Sequence, residues 1–104
     1  MPEDRAIEIG TERDGPTSIV TPQGDIDMST SPALRAALRA ESDRGAKRLI
    51  VDLVSVGYMD SSGLATLVEA MKLSKGAKST LVLCLMNPQV SAIVEIGCLD
   101  AFFK

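Results

Sequence analysis

Two short apolar segments separated by a helical pattern constrain the fold of this chain more than any other feature. Residues 49–54 and 81–86 are almost continuously apolar, which is typical of strands in a parallel sheet that is covered on both faces. Between them, apolar residues recur at the spacing of one helix face and predict an amphipathic helix. These residues are Leu64, Leu67, Val68 and Met71. A strand, a helix and a second strand in this order predict a crossover unit of an α/β fold.

The N-terminal segments predict a β-hairpin. Residues 6–9 alternate weakly between apolar and polar, and residues 17–21 are rich in β-branched side chains, so both favour strands. Gly15 and Pro16 lie between them and favour a turn. Because Pro22 cannot donate a ladder hydrogen bond, the second strand should end there or lie at a sheet edge.

Two further helices are marked by a polar residue followed by proline. Ser31 before Pro32, and Asn87 before Pro88, place a capping residue ahead of a proline in the first helical position. Gly76 is expected to end the helix that precedes it, because glycine is common just past helix ends.

The predicted order of elements is β-β-α-β-α-β-α, with a further strand beginning in residues 99–103. A chain of 104 residues suits one domain with its own core. We therefore expect residues 1–104 to form a single α/β domain. Its central sheet should be mostly parallel, apart from the N-terminal β-hairpin.

The composition argues against several classes of partner. Aromatic residues make up only 3% of the chain and the net charge is -3, so neither a base-stacking platform nor a basic face for nucleic acid is expected. No apolar stretch approaches the roughly 20 residues that span a bilayer, and the N-terminus lacks a signal-peptide pattern, so we expect a cytoplasmic protein without a membrane partner. Cys84 and Cys98 are the only cysteines, and without histidine they make no zinc site. We expect no metal and no cofactor.

The motif that bears most on function lies at the turn from the first apolar strand into the helix. There Asp60 precedes two serines, Ser61 and Ser62, and Gly63 follows them. A hydroxyl at a helix start, where N–H groups lack intrahelical partners, is a favourable place for a phosphate. The serines could also be helix caps, and the pattern alone favours that interpretation. A serine hydrolase is not supported, because the chain has no histidine to act as a base.

Three segments resemble the STAS domain family, and in particular its stand-alone bacterial anti-sigma-factor antagonists. The first, residues 24–34, carries Asp25 and Asp27 ahead of the first helix. The second, residues 49–64, combines the central strand with the loop Asp-Ser-Ser-Gly-Leu, and the third, residues 87–97, covers the third helix and its glycine. The loop is the specific part of the resemblance.

The resemblance implies a partner switch that is controlled by phosphorylation. In that family the unphosphorylated domain binds an anti-sigma factor that is also a serine kinase, and this binding releases a sigma factor. The kinase phosphorylates the serine directly after the aspartate, and a phosphatase of the PP2C type reverses the modification. By position, the resemblance implies Ser61 as the phosphorylation site and no catalytic activity for the chain itself. The implied partner-binding residues are Asp27, Asp60, Ser61, Ser62 and Gly63.

Two of these residues have alternative interpretations that the sequence leaves open. Gly63 either packs closely against neighbouring backbone or lets a partner approach. Asp27 either shapes the loop ahead of the first helix or takes part in function. For Ser62, helix capping is the better interpretation.

The resemblance also leaves other assemblies open. The family usually continues with a strand and a C-terminal helix, and because the sequence stops at Lys104 we expect that helix to be missing and a weak homodimer to be favoured. STAS domains also serve as regulatory subunits in stressosomes, transporters and lipid-transport systems. Others respond to nucleotides, although no P-loop motif occurs in this sequence. A serine–lysine pair with Lys72 or Lys75 is formally open as well.

Overall fold

One mixed sheet organises the computed structural model, which describes residues 7–84 and 86–96 and side chains as far as Ile93. Its four strands lie in the order β1-β2-β3-β4. They are β1 (Glu8–Asp14), β2 (Thr17–Gln23), β3 (Arg48–Asp52) and β4 (Thr80–Cys84). The helices are α1 (Ser31–Asp43), α2 (Ser61–Gly76) and α3 (Pro88–Ile96). β1 and β2 are antiparallel and the other pairs are parallel, which confirms the predicted α/β fold class. The strand predicted from residue 99 lies outside the described residues.

The N-terminal hairpin is present, but its strands are longer than predicted. Gly15, with a φ of 61°, and Pro16 form the two-residue connection between β1 and β2. β1 continues to Asp14 through charged, exposed positions that carry no apolar alternation. β2 continues past Pro22, which pairs with β1 alone because the ladder to β3 ends at Val20. Proline is tolerated there, as expected where a strand is paired on one side.

The two faces of the sheet are covered unequally. The face under α1 and α2 is buried and consists of Ser18, Val20, Leu49, Val51, Leu81 and Leu83. Leu34, Leu38 and Leu67 from the two helices complete this core. The opposite face, with Ile19, Ile50 and Val82, is only half-buried. Among the described residues α1 and α2 therefore lie on one face, and cover of the opposite face, which the apolar strands predict, stays a prediction.

Helix boundaries differ from the predictions by one or two residues. The N-cap of α1 is Thr30 and not Ser31, which is already helical. α2 ends at Gly76 as predicted, although Gly76 is its last helical residue and Ala77 is the C-cap. The chain leaves the helix two residues later through Lys78, whose φ of 57° is left-handed. Gly45, with a φ of 87°, occupies the equivalent place after α1.

A buried carboxylate ties the hairpin to the last turn of α1. The Glu41 side chain is only 4% exposed, and its Oε1 and Oε2 accept hydrogen bonds from Arg13 Nε at 3.0 Å and Nη2 at 2.8 Å. Ser18 Oγ donates to Oε1 at 2.7 Å. The hydrogen bonds from Arg13 are the main cause that lowers the pKa of Glu41 to about 2. Burial alone would raise this pKa, so the carboxylate is kept ionised by its partners.

Candidate functional site

Two loops at the carboxyl ends of β2 and β3 are joined by backbone hydrogen bonds. The Ile26 N–H donates to the Tyr58 carbonyl at 2.9 Å, and the Asp60 N–H donates to the Ile26 carbonyl at 3.1 Å. The Gly24 N–H donates to the Ser55 carbonyl at 3.1 Å. Residues 24–30 and 53–60 therefore form one platform, from which α1 and α2 both begin.

Asp60 is the N-cap of α2. Its Oδ1 accepts hydrogen bonds from the Ser62 N–H at 2.9 Å and the Gly63 N–H at 3.4 Å. The Ser62 hydroxyl also donates to this oxygen at 2.6 Å. That hydroxyl is the main cause that lowers the pKa of Asp60 below its usual value, while the nearby negative charge of Asp27 acts in the opposite direction. The interpretation of Ser61 and Ser62 as caps is therefore wrong, since the aspartate before them has this role.

The two serines differ in accessibility. Ser61 is exposed in the first helical position, and within the described residues its hydroxyl takes part in no hydrogen bond. Ser62 is half-buried and its hydroxyl is held by Asp60. Two of the N–H groups at this helix start, those of Ser62 and Gly63, are already bound by the Asp60 carboxylate. A phosphate on Ser61 would gain from the helix dipole but not from these donors.

Asp27 shapes the entry into α1. Its Oδ1 accepts hydrogen bonds from the Ser29 N–H at 2.9 Å and the Ser29 hydroxyl at 2.7 Å. The Thr30 hydroxyl accepts the Asp27 N–H at 2.9 Å and donates to the Asp25 carbonyl at 2.9 Å. Asp27 therefore has a structural role and is also close enough to Asp60 for its charge to influence that carboxylate.

Gly63 is required by internal packing. It is buried, and a Cβ atom at this position would lie 2.5 Å from Met59 Cγ and 2.8 Å from Ile26 Cγ2. Gly63 is therefore a position of close approach within the fold, but against the side chains of Met59 and Ile26 and not against backbone as expected. A role of Gly63 in partner binding stays a prediction.

Sequence reasoning missed the part that α3 plays in the site. The Gln89 side-chain amide donates to the Met59 carbonyl and accepts the Met59 N–H, both at 2.9 Å. Asn87 caps α3 by accepting the Val90 N–H at 2.8 Å, as predicted, and also donates to the Gly57 carbonyl at 3.0 Å. Two amide side chains thus hold the loop that leads to Asp60. The local sequence around Asn87 and Gln89 gives no indication of these contacts with residues about 30 positions earlier.

Within residues 7–84 and 86–96 we also looked for metal sites, membrane-spanning helices and reactive thiols. They contain no group of three or more carboxylate, thiol or imidazole side chains placed to hold a metal ion. None of the helices described there is both long and apolar enough to cross a bilayer. Cys84 is a free thiol whose pKa is raised, mainly by burial.

Comparison with known proteins gives a consistent picture. A sequence model of the STAS domain family matches residues 8–104. An anti-sigma-B factor antagonist of Listeria monocytogenes is 35% identical over 91 residues, which is 88% of this chain and 79% of that protein. A putative anti-sigma factor antagonist of Bordetella bronchiseptica, BtrV, is 33% identical over 81 residues, which is 77% of this chain and 70% of that protein.

The fold is that of SpoIIAA, an anti-sigma factor antagonist. Its unphosphorylated form superposes with a TM-score of 0.82 at 19% identity, covering 93% of this chain and 86% of that one. The phosphorylated form of the Bacillus protein gives a TM-score of 0.77 at 18% identity, covering 93% and 89%. At these identities the likeness concerns the fold alone.

Proposed function

Because this chain belongs to the STAS domain family, we propose that it is an anti-sigma-factor antagonist in a phosphorylation-controlled partner switch. The unphosphorylated chain binds an anti-sigma factor that is also a serine kinase, and a sigma factor is released. Phosphorylation of Ser61 ends this binding, and a PP2C-type phosphatase restores it. The names of the curated relatives support the antagonist role. The chain acts in the cytoplasm as a regulator and not as an enzyme, since it has no histidine to activate either serine.

The single observation that carries the proposal is the contrast between the two hydroxyls. The Ser61 hydroxyl points from an exposed position and is unengaged within the described residues, whereas the Ser62 hydroxyl is bound 2.6 Å from Asp60 Oδ1. Phosphoryl transfer requires the attacking hydroxyl to align with the nucleotide's γ-phosphate. A docked kinase can meet this requirement at Ser61 without breaking any contact of the fold.

The effect of a phosphate on docking follows from charge. Phosphoserine adds about -1.5 to -2 charge, next to Asp60 and near Asp27, whose negative charge already acts on Asp60. A partner that covers Ser61 would have to desolvate this charge, at a cost of several kcal/mol when pairing is imperfect. Since about 1.4 kcal/mol corresponds to tenfold in affinity, we expect a loss of more than about a hundredfold.

The fold should be spared by the same modification. Because the exposed Ser61 hydroxyl holds no other element in place within the described residues, its phosphorylation breaks no internal contact. Backbone amide NMR shifts on phosphorylation should therefore be confined to the residues around α2's first turn and the two loops. Shifts throughout the sheet would contradict a simple block of docking.

The test uses each anti-sigma factor encoded in the source genome, purified and assayed for binding by titration calorimetry. Wild type and Ser61→Ala should bind the same one, and Ser61→Asp should lose at least about a hundredfold in affinity. Thr11→Asp, on the exposed strand β1, adds the same charge elsewhere and should bind normally. With ATP and magnesium the bound kinase should place one phosphate on wild type and none on Ser61→Ala. Equal binding by the Ser61→Ala and Ser61→Asp variants would disprove the switch.

A further inference from the structure

The sheet face opposite α1 and α2 has an apolar centre that no described helix covers. In its middle Ile19, Ile50 and Val82 are direct neighbours on β2, β3 and β4. Each of them is only half-buried. Among the described residues α3 does not cover this row, because it packs against α2 and its Val90 belongs to the core on the other face. An apolar row on an open sheet face is a surface on which another protein can pack.

Two opposite charges flank the apolar row on β3. Arg48 and Asp52 lie two positions before and two positions after Ile50, so the three side chains point to the same face. At about 3.3 Å per residue, the two charged positions are about 13 Å apart along the strand. Within the described residues neither side chain takes part in an ion pair. The Asp52 Oδ1 accepts the Val54 N–H at 3.1 Å.

We propose that this surface, the open sheet face formed by Ile19, Arg48, Ile50, Asp52 and Val82, binds a second copy of the same chain. The two copies pack with their β3 strands antiparallel and with a twofold axis beside Ile50. Arg48 of each copy then lies opposite Asp52 of the other, and the two apolar rows meet at the centre. Facing sheets lie about 10 Å apart, a distance that two such side chains span together. This inference goes beyond the proposed function, which does not require a dimer.

Charge complementarity selects the antiparallel arrangement. With the β3 strands parallel, Arg48 would face Arg48 and Asp52 would face Asp52, so like charges would be opposed. The antiparallel arrangement has one unfavourable contact, because Glu12, which is paired with Ile19 in the hairpin, would face the same residue of the other copy. Glu12 is exposed on the outer strand β1, where water and salt screen this repulsion. The central charge pairs therefore decide the orientation.

The size of the face predicts a weak dimer. Its four strands, at about five residues each, cover about 17 by 19 Å, or about 300 Å². Stable interfaces bury about 800 Å² on each partner. We therefore expect association only at high protein concentration, and the weak homodimer expected from the sequence gains a defined surface.

The dimer would leave both phosphorylation sites accessible. The loops that carry Ser61 lie beyond the carboxyl ends of β2 and β3, outside the open sheet face. Because the strands of the two copies run in opposite directions, the two Ser61 sites lie at opposite ends of the dimer. Self-association and binding of another partner at Ser61 therefore do not compete.

Sedimentation equilibrium of the whole chain, in a concentration series up to about 1 mM, tests the dimer. Wild type should shift from monomer to dimer. Arg48→Glu and Asp52→Arg should each weaken association by at least about tenfold, because like charges then face each other. The double variant, and an equimolar mixture of the two single variants, should associate as wild type does. Lys72→Glu makes the same charge change on the exposed side of α2 and is the matched control, which should dimerise normally.

A further variant tests the apolar centre. Ile50→Lys places two ammonium groups opposite each other at the twofold axis and should abolish the dimer. Thermal unfolding shows whether each variant is folded, and Arg48→Glu, at an exposed position, should melt within a few degrees of wild type.

The outcomes decide between this proposal and its alternatives. A wild type that stays monomeric up to about 1 mM overturns the dimer, as does a dimer that Arg48→Glu and Asp52→Arg leave intact. A double variant that stays monomeric refutes the antiparallel arrangement. If wild type is monomeric and Ile50→Lys melts far below it, part of the chain outside the described residues covers the face and the proposal is wrong.

The same experiments separate the dimer from the proposed switch. Ser61→Asp should dimerise as wild type does, because its side chain lies outside the open sheet face. A monomeric wild type that still binds an anti-sigma factor overturns only the dimer. A wild-type dimer that binds none of the purified anti-sigma factors leaves the dimer standing and overturns the switch.

Discussion

Replacing Gly63 with alanine tests whether the start of α2 is packed as closely as the structure shows. The new Cβ would lie 2.5 Å from Met59 Cγ and 2.8 Å from Ile26 Cγ2, whereas carbon atoms in contact are about 3.5–4.0 Å apart. Both neighbours are fully buried, so neither can turn toward solvent. Ile26 is also β-branched and stiff at χ1. At least one of these side chains must therefore move by about 1 Å inside the core.

The expected magnitude has two opposing parts. Overpacking of this kind costs about 1–3 kcal/mol, and with two close contacts we expect about 2–3 kcal/mol. Alanine in place of glycine within a helix gains up to about 1 kcal/mol. Gly76→Ala, in the last turn of the same helix, isolates that gain because nothing lies within 4 Å of its Cβ position. The difference between the two variants therefore measures the packing cost alone.

Urea denaturation of wild type and both variants provides the assay. Gly63→Ala should be less stable than wild type by about 1–2 kcal/mol, and Gly76→Ala should be equally or slightly more stable. At about 4–8 °C for each kcal/mol in a domain of this size, the two melting temperatures should differ by roughly 10 °C. If the free energies of unfolding of the two variants agree within about 0.5 kcal/mol, the close packing of Gly63 is refuted.

Three further predictions follow from the hydrogen bonds described above. Wild type should lose about 2 kcal/mol of stability as pH falls from 4.5 toward the Glu41 pKa of about 2, because folding lowers this pKa and protonation removes its pairing. The full pKa shift corresponds to about 3 kcal/mol, and we expect less because Arg13 is half-exposed. Glu41→Gln should remove this loss of stability when urea denaturation at pH 7 is compared with pH 2.5. If the variant loses as much stability as wild type, other groups cause the acid dependence. Gln89→Ala should destabilise by about 1–2 kcal/mol and speed hydrogen exchange at the Met59 amide, and unchanged exchange there would show that the side chain does not hold the loop. Asp60→Ala should cost about 1 kcal/mol in thermal unfolding through loss of the helix cap, and a neutral result would contradict its capping role.

Local periodicity predicted most of the architecture. The apolar stripe of α2, the apolar runs of β3 and β4 and the turn at Gly15 all depend on neighbours within a few residues, and the element order followed from them. The N-cap residue of α2 could not be predicted from the sequence, because Asp60, Ser61 and Ser62 are all of residue types that cap helices. Only the backbone decides among them, and the extended ψ of -169° places Asp60 outside the helix.

Long-range polar contacts were not predictable from the sequence. Glu41 occurs at an apolar spacing in α1, and its partner Arg13 lies 28 residues earlier in an exposed strand. Gln89 is 30 residues from the Met59 backbone that it binds. Such pairs depend on how strands and helices are arranged in space, and neither composition nor spacing of single residues records that arrangement.

The hydrogen bonds between the two loops also bear on how the proposed phosphorylation of Ser61 would occur. Its position is set by Ile26 and Met59, one of which lies more than 30 residues earlier in the chain. A short synthetic peptide with the sequence of residues 56–66 would lack the loop of residues 24–30. It would have to lose considerable conformational entropy to adopt the backbone conformation that this loop stabilises. The kinase that we propose for Ser61 would therefore have to recognise a folded surface, and a consensus motif derived from flexible tails would not identify it.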